Sequence, residues 1–248
     1  MRAVVCHQFG PVDDLSVEER PSSPCADGTV RVRVTAAGVN FVDGLFVEGK
    51  YQIKPPLPFT PGGEIAGVVA EVGGGAGWSV GDRVLCSVGL GGFADEVVVP
   101  GSRLIAVPAS VTDGQAATFV QSYMTGWFAL RERARVQEGK RLMVLGAGGG
   151  VGLAAVDIGT ALGLRVLAVA SSDEKRQAAL AAGAEAAIDP AGGIKDAARE
   201  WGGGGVDYVY DPVGGDLAEQ GLRALDEDGQ LIVIGFASGP IPRLPANQ

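Results

Sequence analysis

The sequence predicts an all-β unit followed by a doubly wound parallel α/β sheet. Three observations carry this. Residues 1–115 hold short strand-like runs punctuated by glycine and proline. From about residue 112 the pattern alternates strand and helix. A glycine cluster then sits where the first strand of that second stretch runs into a helix. At 248 residues, and roughly 150 residues per domain, two modest domains are expected, placed at 1–118 and 119–248.

In the first stretch Val30, Val32 and Val34 alternate with Arg31, Arg33 and Thr35, the period of a half-buried strand. Further strands are expected at 65–72, 83–88 and 96–99. The last two are separated by Gly89, Gly91 and Gly92. Turns at 55–58 and 73–77 complete a compact barrel or sandwich. Residues 115–133 have few breakers and read as one helix. Strands then fall at 142–145, 165–169, 186–188, 206–210 and 230–234. Helices at 151–162, 173–182, 194–201 and 216–225 lie between them. A complete dinucleotide-binding fold doubles a βαβαβ half, so this sheet is expected to be incomplete at its C-terminal end.

Lys and Arg number 20 and Asp and Glu 29, a net charge of −9, which argues against a nucleic-acid partner. Apolar residues make up 46% and charged residues 20%, a globular composition. Glycine, at 40 residues, runs at about twice its usual share, as many turns and close backbone approaches require. Cys6, Cys25 and Cys86 form no metal-spaced pair, and His7 is the only histidine. A reduced, cytoplasmic setting follows, with no signal peptide or membrane span expected. His7 and Cys86 are expected as packing residues of strands, and Trp127 and Phe128 as core.

Residues 141–152 read Arg-Leu-Met-Val-Leu-Gly-Ala-Gly-Gly-Gly-Val-Gly. With Gly149 and Gly152 as the second and third fingerprint glycines, Ala147 takes the first position. Gly149 would let backbone amides approach a pyrophosphate, and Gly152 would let helix and strand pack closely. The helix N-terminus adds partial positive charge. A tight strand-to-helix turn without a ligand is the plainer alternative. The next strand ends at Ala170 with no carboxylate for a ribose hydroxyl. Ser171, Ser172, Lys175 and Arg176 follow and suit a 2′-phosphate, favouring NADP over NAD. Alternatively, Ser171 and Glu174 form a capping box and the two cations are solvated helix residues. Asp173 also lies near the distance expected of the acid that binds NAD. Asp211-Pro212-Val213-Gly214-Gly215 and Gly235-Phe236-Ala237 fall at the same carboxyl edge, where Asp211 either meets a ligand or caps its turn.

Several stretches resemble the medium-chain dehydrogenase/reductase superfamily in its zinc-free NADPH:quinone oxidoreductase branch. They are Ala36-Ala37-Gly38-Val39-Asn40-Phe41-Val42-Asp43, Gly49-Lys50-Tyr51, Pro58-Phe59-Thr60-Pro61-Gly62-Gly63-Glu64, Gly81-Asp82-Arg83-Val84, Thr125-Gly126, the 147–152 cluster and the 211–215 turn. The resemblance implies a GroES-like β-domain, a Rossmann domain and an active site in the cleft between them. It also implies a homodimer for the full-length family. Where zinc-dependent relatives place Cys, His and Cys, this chain has Asn40, Gly63 and Gln121, so no zinc is expected. A tyrosine usual in the branch after the third strand of the second domain is replaced by Pro190. The family's last sheet strands are expected to be missing.

By resemblance, the reaction is hydride transfer from NADPH to a quinone or α,β-unsaturated carbonyl. Asn40 is the candidate amide donor to the developing anion, and Tyr51 a donor or aromatic wall. Asp43 orders that loop or contacts the cofactor. Thr125, Ala147, Gly148, Gly149, Gly150, Val151, Gly152, Ser171, Ser172, Lys175, Val213, Gly235 and Phe236 are the candidate cofactor residues. Asn40 as a left-handed turn residue, Tyr51 as an exposed loop aromatic and Glu64 as a structural hydrogen-bonder are the plainer alternatives. The alternative functions are reduction of an enoyl thioester such as an enoyl-CoA, and a non-catalytic nucleotide-binding fragment.

Overall fold

The computed structural model describes residues 1–245, which divide into two units, Met1–Gln121 and the residues from Ser122 onward. In the first unit the alternating valines make the strands. Val30 and Val32 are fully buried, with Arg31 between them paired to Glu71 and Glu96. Strands β1 (Arg2–Val5) and β2 (Ser16–Glu19) form an antiparallel pair. Five more strands follow: β3 (Thr29–Gly38), β4 (Glu64–Val72), β5 (Arg83–Ser87), β6 (Glu96–Pro100) and β7 (Ile105–Ala106). They build an antiparallel sheet in the order β6-β3-β4-β5-β7. Ile65, Val69, Val84 and Cys86 join Val30 and Val32 in its core.

The strand-and-turn expectation for residues 1–115 missed a helix. Between β3 and β4 the chain forms α1 (Phe41–Val47), started by Asn40. The single helix expected over 115–133 is also corrected, because the chain breaks it twice. Helix α2 (Asp113–Ala117) starts from a Thr112–Gln115 capping box and stops at Thr118. Helix α3 (Phe119–Trp127) then widens into a π-helical segment, Phe128–Ala134, which ends at the left-handed Arg135. Two packing expectations fail as well. Trp127 and Phe128 are half exposed rather than core, and Arg133 lies over the Phe128 ring. His7 is exposed just beyond β1 and pairs with Glu18.

The second unit alternates as expected: β8 (Arg141–Val144), α4 (Gly150–Ala161), β9 (Arg165–Val169), α5 (Asp173–Ala181), β10 (Ala186–Ile188), α6 (Lys195–Gly202), β11 (Val206–Asp211), α7 (Gly215–Ala224) and β12 (Leu225–Val233). The strands are all parallel, in the order β10-β9-β8-β11-β12. Near-continuous apolar runs fit a sheet covered on both faces. Leu142, Val144, Val166 and Tyr210 face one helical layer, and Met143, Leu145, Leu167 and Val209 the other. Strand β12 begins at Leu225, earlier than the expected residue 230, and its pairing with β11 shifts register near Val206. Among the described residues no helix is long and apolar enough to cross a membrane.

Candidate functional site

In the second unit, the loops at the carboxyl ends of β8, β9, β11 and β12 gather the candidate cofactor residues. After β8 the chain reverses at Gly146, whose φ of 59° suits glycine. Ala147 is fully buried and donates its amide to Val169 O at 2.9 Å, which ties the turn to β9. A Cβ on Gly152 would collide with Gly146 O, so the fold itself demands glycine there. A Cβ on Gly148 would strike the aliphatic stem of Lys175. Gly149 is different. It has a φ of −89°, is exposed, and a Cβ there would meet only Gly146 O at an ordinary 3.5 Å. Gly149 is the N-cap of α4 and, as a glycine, offers no side-chain acceptor to the first-turn amides of Gly150, Val151 and Gly152. The buried Ser122 of α3 brings its hydroxyl close to Gly150, 3.1 Å from where a Cβ would stand.

The capping box of Ser171 and Glu174, the alternative reading of this stretch, is not formed. The cap of α5 is Ser172, whose hydroxyl accepts from Lys175 N at 3.3 Å, and Ser171 is exposed beside it. Arg176 is occupied with structure: it donates to Ala170 O and pairs with Asp173 and Asp189. Lys175, with its stem across Gly148, makes no ion pair among the described residues. Asp211 caps its own turn, its Oδ1 accepting from Val213 N and Gly214 N at 2.9 Å each. Val213 packs on Gly146, Phe236 on Gly214, and Gly235 N donates to Asp211 O. Thr125 lies inside α3. It lines a trough of about 650 Å³ with Met124, Phe128 and residues 230–234 of the β12 edge.

In the first unit a second cluster forms around Asn40. The asparagine is extended, with φ −115° and ψ 155°, and not left-handed. Its backbone N–H donates to Asp43 Oδ2 at 2.8 Å, and its Nδ2 to Glu64 Oε1 at 2.9 Å. Glu64 Oε2 accepts from Gln121 N at 2.9 Å. Both carboxylates are buried, Asp43 at 3% and Glu64 at 1% exposure. Burial pushes the Asp43 carboxyl above the usual carboxylate range, against the opposing pull of the Asn40, Gly62 and Gly63 amides. Tyr51 is half buried. Its N–H donates to Leu45 O, and its ring leans on Phe46 at 4.6 Å between centroids.

Two family models match the chain: an alcohol dehydrogenase GroES-like domain over residues 26–109 and a zinc-binding dehydrogenase over 150–248. Quinone oxidoreductase-like protein 2 of Bos taurus is 40% identical over 99% of this chain and 71% of that protein. The chain belongs to the quinone oxidoreductase family of the medium-chain dehydrogenases/reductases. It is an oxidoreductase of this family, with a GroES-like first unit and a Rossmann second unit. The family's Nematostella vectensis homolog of the same protein is 42% identical, over 99% of this chain and 68% of its own length. Among solved structures of the family, the Thermus thermophilus quinone oxidoreductase, also solved with NADPH, matches with a TM-score of 0.83 at 37% identity. The match covers 98% of this chain and 75% of that one. The Escherichia coli quinone oxidoreductase complexed with NADPH matches with a TM-score of 0.91 at 29% identity, over 100% and 77%.

The name of the second family model raises zinc. An amide at Asn40, a glycine at Gly63 and an amide at Gln121 do not make a zinc donor set. In the structure, two of those three positions are tied to the carboxylate of Glu64.

Proposed function

We propose that this chain is an NADPH-dependent reductase that delivers hydride to a quinone or an α,β-unsaturated carbonyl without help from a metal. The observation that carries the reading is Gly149. Among the described residues nothing crowds a Cβ there, and Gly149 stands as the N-cap of α4 with no side chain of its own to offer. A diphosphate over the turn would supply the reason, with the amides of Gly150, Val151 and Gly152 as its donors. The residues present therefore fit the cofactor that two solved relatives hold.

NADPH supplies the hydride when bound. The chain's own residues bind and orient. Ala147 and Gly148 shape the turn, and Lys175, anchored by its stem on Gly148, offers its ammonium to the 2′-phosphate beside Ser171 and Ser172. Val213, Gly235 and Phe236 wall the same edge, and Thr125 serves the nicotinamide end. In the first unit Asn40 offers its remaining amide proton to the oxygen that gains charge, Asp43 holds the Asn40 backbone, and Tyr51 walls the acceptor. Three free cysteines fit a reducing, cytoplasmic setting, and a second copy of the chain is the protein partner that the resemblance implies.

Titration of the purified chain with NADPH, followed by nicotinamide fluorescence, is the test. Saturable binding at micromolar cofactor and turnover of 1,4-naphthoquinone are expected. Absence of binding at millimolar NADPH would overturn the reading, and faster turnover of a crotonyl thioester would move the substrate class. The net charge of −9 offers little to a CoA phosphate, which favours the quinone or enone. Lys175→Ala is expected to weaken NADPH by about 10-fold, or about 1–2 kcal/mol, and to leave NADH almost unchanged. Equal losses for the two cofactors would remove Lys175 from the phosphate.

A further inference from the structure

We infer that Glu64 is a positioning residue that fixes the Asn40 side-chain amide for its work on the acceptor. This rests on Asn40 being the donor proposed above.

Glu64, 1% exposed as a residue, opens β4 opposite Gly38 of β3. One oxygen accepts from Asn40 Nδ2 and the other from Gln121 N, donors 24 and 57 residues away. Only a group with two accepting ends satisfies both. Room for it is kept by Gly38, where a Cβ would stand 2.7 Å from Glu64 Oε1 and 2.9 Å from its Cγ. Burying a carboxylate is costly, so this placement needs its two donors.

The consequence falls on Asn40. Its backbone N–H is held by Asp43 and its Nδ2 by Glu64, so the side chain is fixed at both ends. One amide proton is spent on Glu64, and that bond sets the direction of the other. A donor that stabilises a developing oxyanion works because it does not have to reorient. Glutamine at position 64 would keep the shape and one acceptor. Its NH2 would face either the Asn40 amide or the Gln121 N–H, donor against donor.

Four readouts on the full chain test this: kcat with 1,4-naphthoquinone, KM for NADPH, Tm, and the Asn40 side-chain amide protons by NMR. Glu64→Gln is expected to lower kcat about 10- to 100-fold with KM for NADPH within about twofold, because the phosphate residues all lie in the second unit. The Asn40 amide protons should exchange faster with solvent. Asn40→Ala should lose as much, and the double variant should be no worse than Asn40→Ala alone. Wild-type kcat in Glu64→Gln with only a lower Tm would overturn the inference, as would losses that multiply in the double variant. Wild-type kcat in Asn40→Ala would instead sink the donor reading on which it rests. If Glu64→Gln does not fold, Asn40→Asp combined with Glu64→Gln restores a donor-to-acceptor pair between the two positions. That variant should fold and stay as slow as Asn40→Ala, since a carboxylate at position 40 cannot donate. Recovery to wild-type kcat would sink the donor reading, and the inference with it.

Discussion

Gly149→Val is expected to leave the second unit folded and to cut NADPH affinity by more than about 100-fold. The backbone at Gly149 is extended, which suits a β-branched residue, and its Cβ would meet only Gly146 O at 3.5 Å. The folding cost is therefore that of a poorer helix cap, about 1 kcal/mol. The binding cost is steric, because the methyl groups would occupy the space proposed for the diphosphate. Gly152→Val makes the contrast. Its Cβ would run into Gly146 O and Ala147 Cα, and a loss of about 3 kcal/mol in stability is expected before any ligand is added. Thermal melting with and without NADPH separates the two. Unchanged NADPH affinity in Gly149→Val would place the diphosphate elsewhere.

Asp207→Asn is expected to destabilise the second unit by about 2–3 kcal/mol at pH 7. Asp207 sits at the amino end of β11 and receives the Arg141 backbone N–H, the Arg141 guanidinium twice, and Lys140 Nζ. Arg141 also donates to Gly202 O and pairs with Asp226, so one guanidinium joins β8, the end of α6 and β12. The Arg141 guanidinium beside it holds the Asp207 carboxyl well below the usual carboxylate range. A carboxyl depressed in the folded state stabilises above its unfolded pKa of about 3.9. That contribution fades as pH falls through the lower folded value. The gap in Tm between wild type and Asp207→Asn should thus be full at pH 7, begin to shrink only below the unfolded carboxyl's pKa of about 3.9, and close only in strong acid. A gap independent of pH would mean that the lost hydrogen bonds, not the charge, do the stabilising.

The parallel sheet was legible because its signal is local. Runs such as Leu142-Met143-Val144-Leu145 are apolar throughout, as a strand covered on both faces must be, and glycines mark their ends. The turn at 146–152 was legible for the same reason. Helix α1 was not: it is seven residues long and carries Gly44, too short and too weak a helix former to show a period. Its stability comes from Asn40 and Asp43 bonding each other at the start. Residues 115–133 show why few breakers do not mean one helix, since Thr118 and the widened turns from Phe128 interrupt it without proline. Trp127 and Phe128 look like core by composition, but which face of a helix is covered depends on what packs there. The bond between Glu64 and Gln121 spans 57 residues, and no local pattern announces it. The Lys175 stem over Gly148 is hidden in the same way, because the turn after β8 and the first turn of α5 must fold before they touch.

Strand β12 is the outermost strand of its sheet among the described residues, and it carries Asp226, Glu227 and Asp228, all exposed, near its amino end. A free sheet edge invites another strand to add to it, and clustered like charge is one of the ways proteins discourage this. Two such edges approaching at neutral pH would set carboxylates against carboxylates. A strand laid along the amino end of β12 would therefore have to bring cations opposite Glu227 and Asp228.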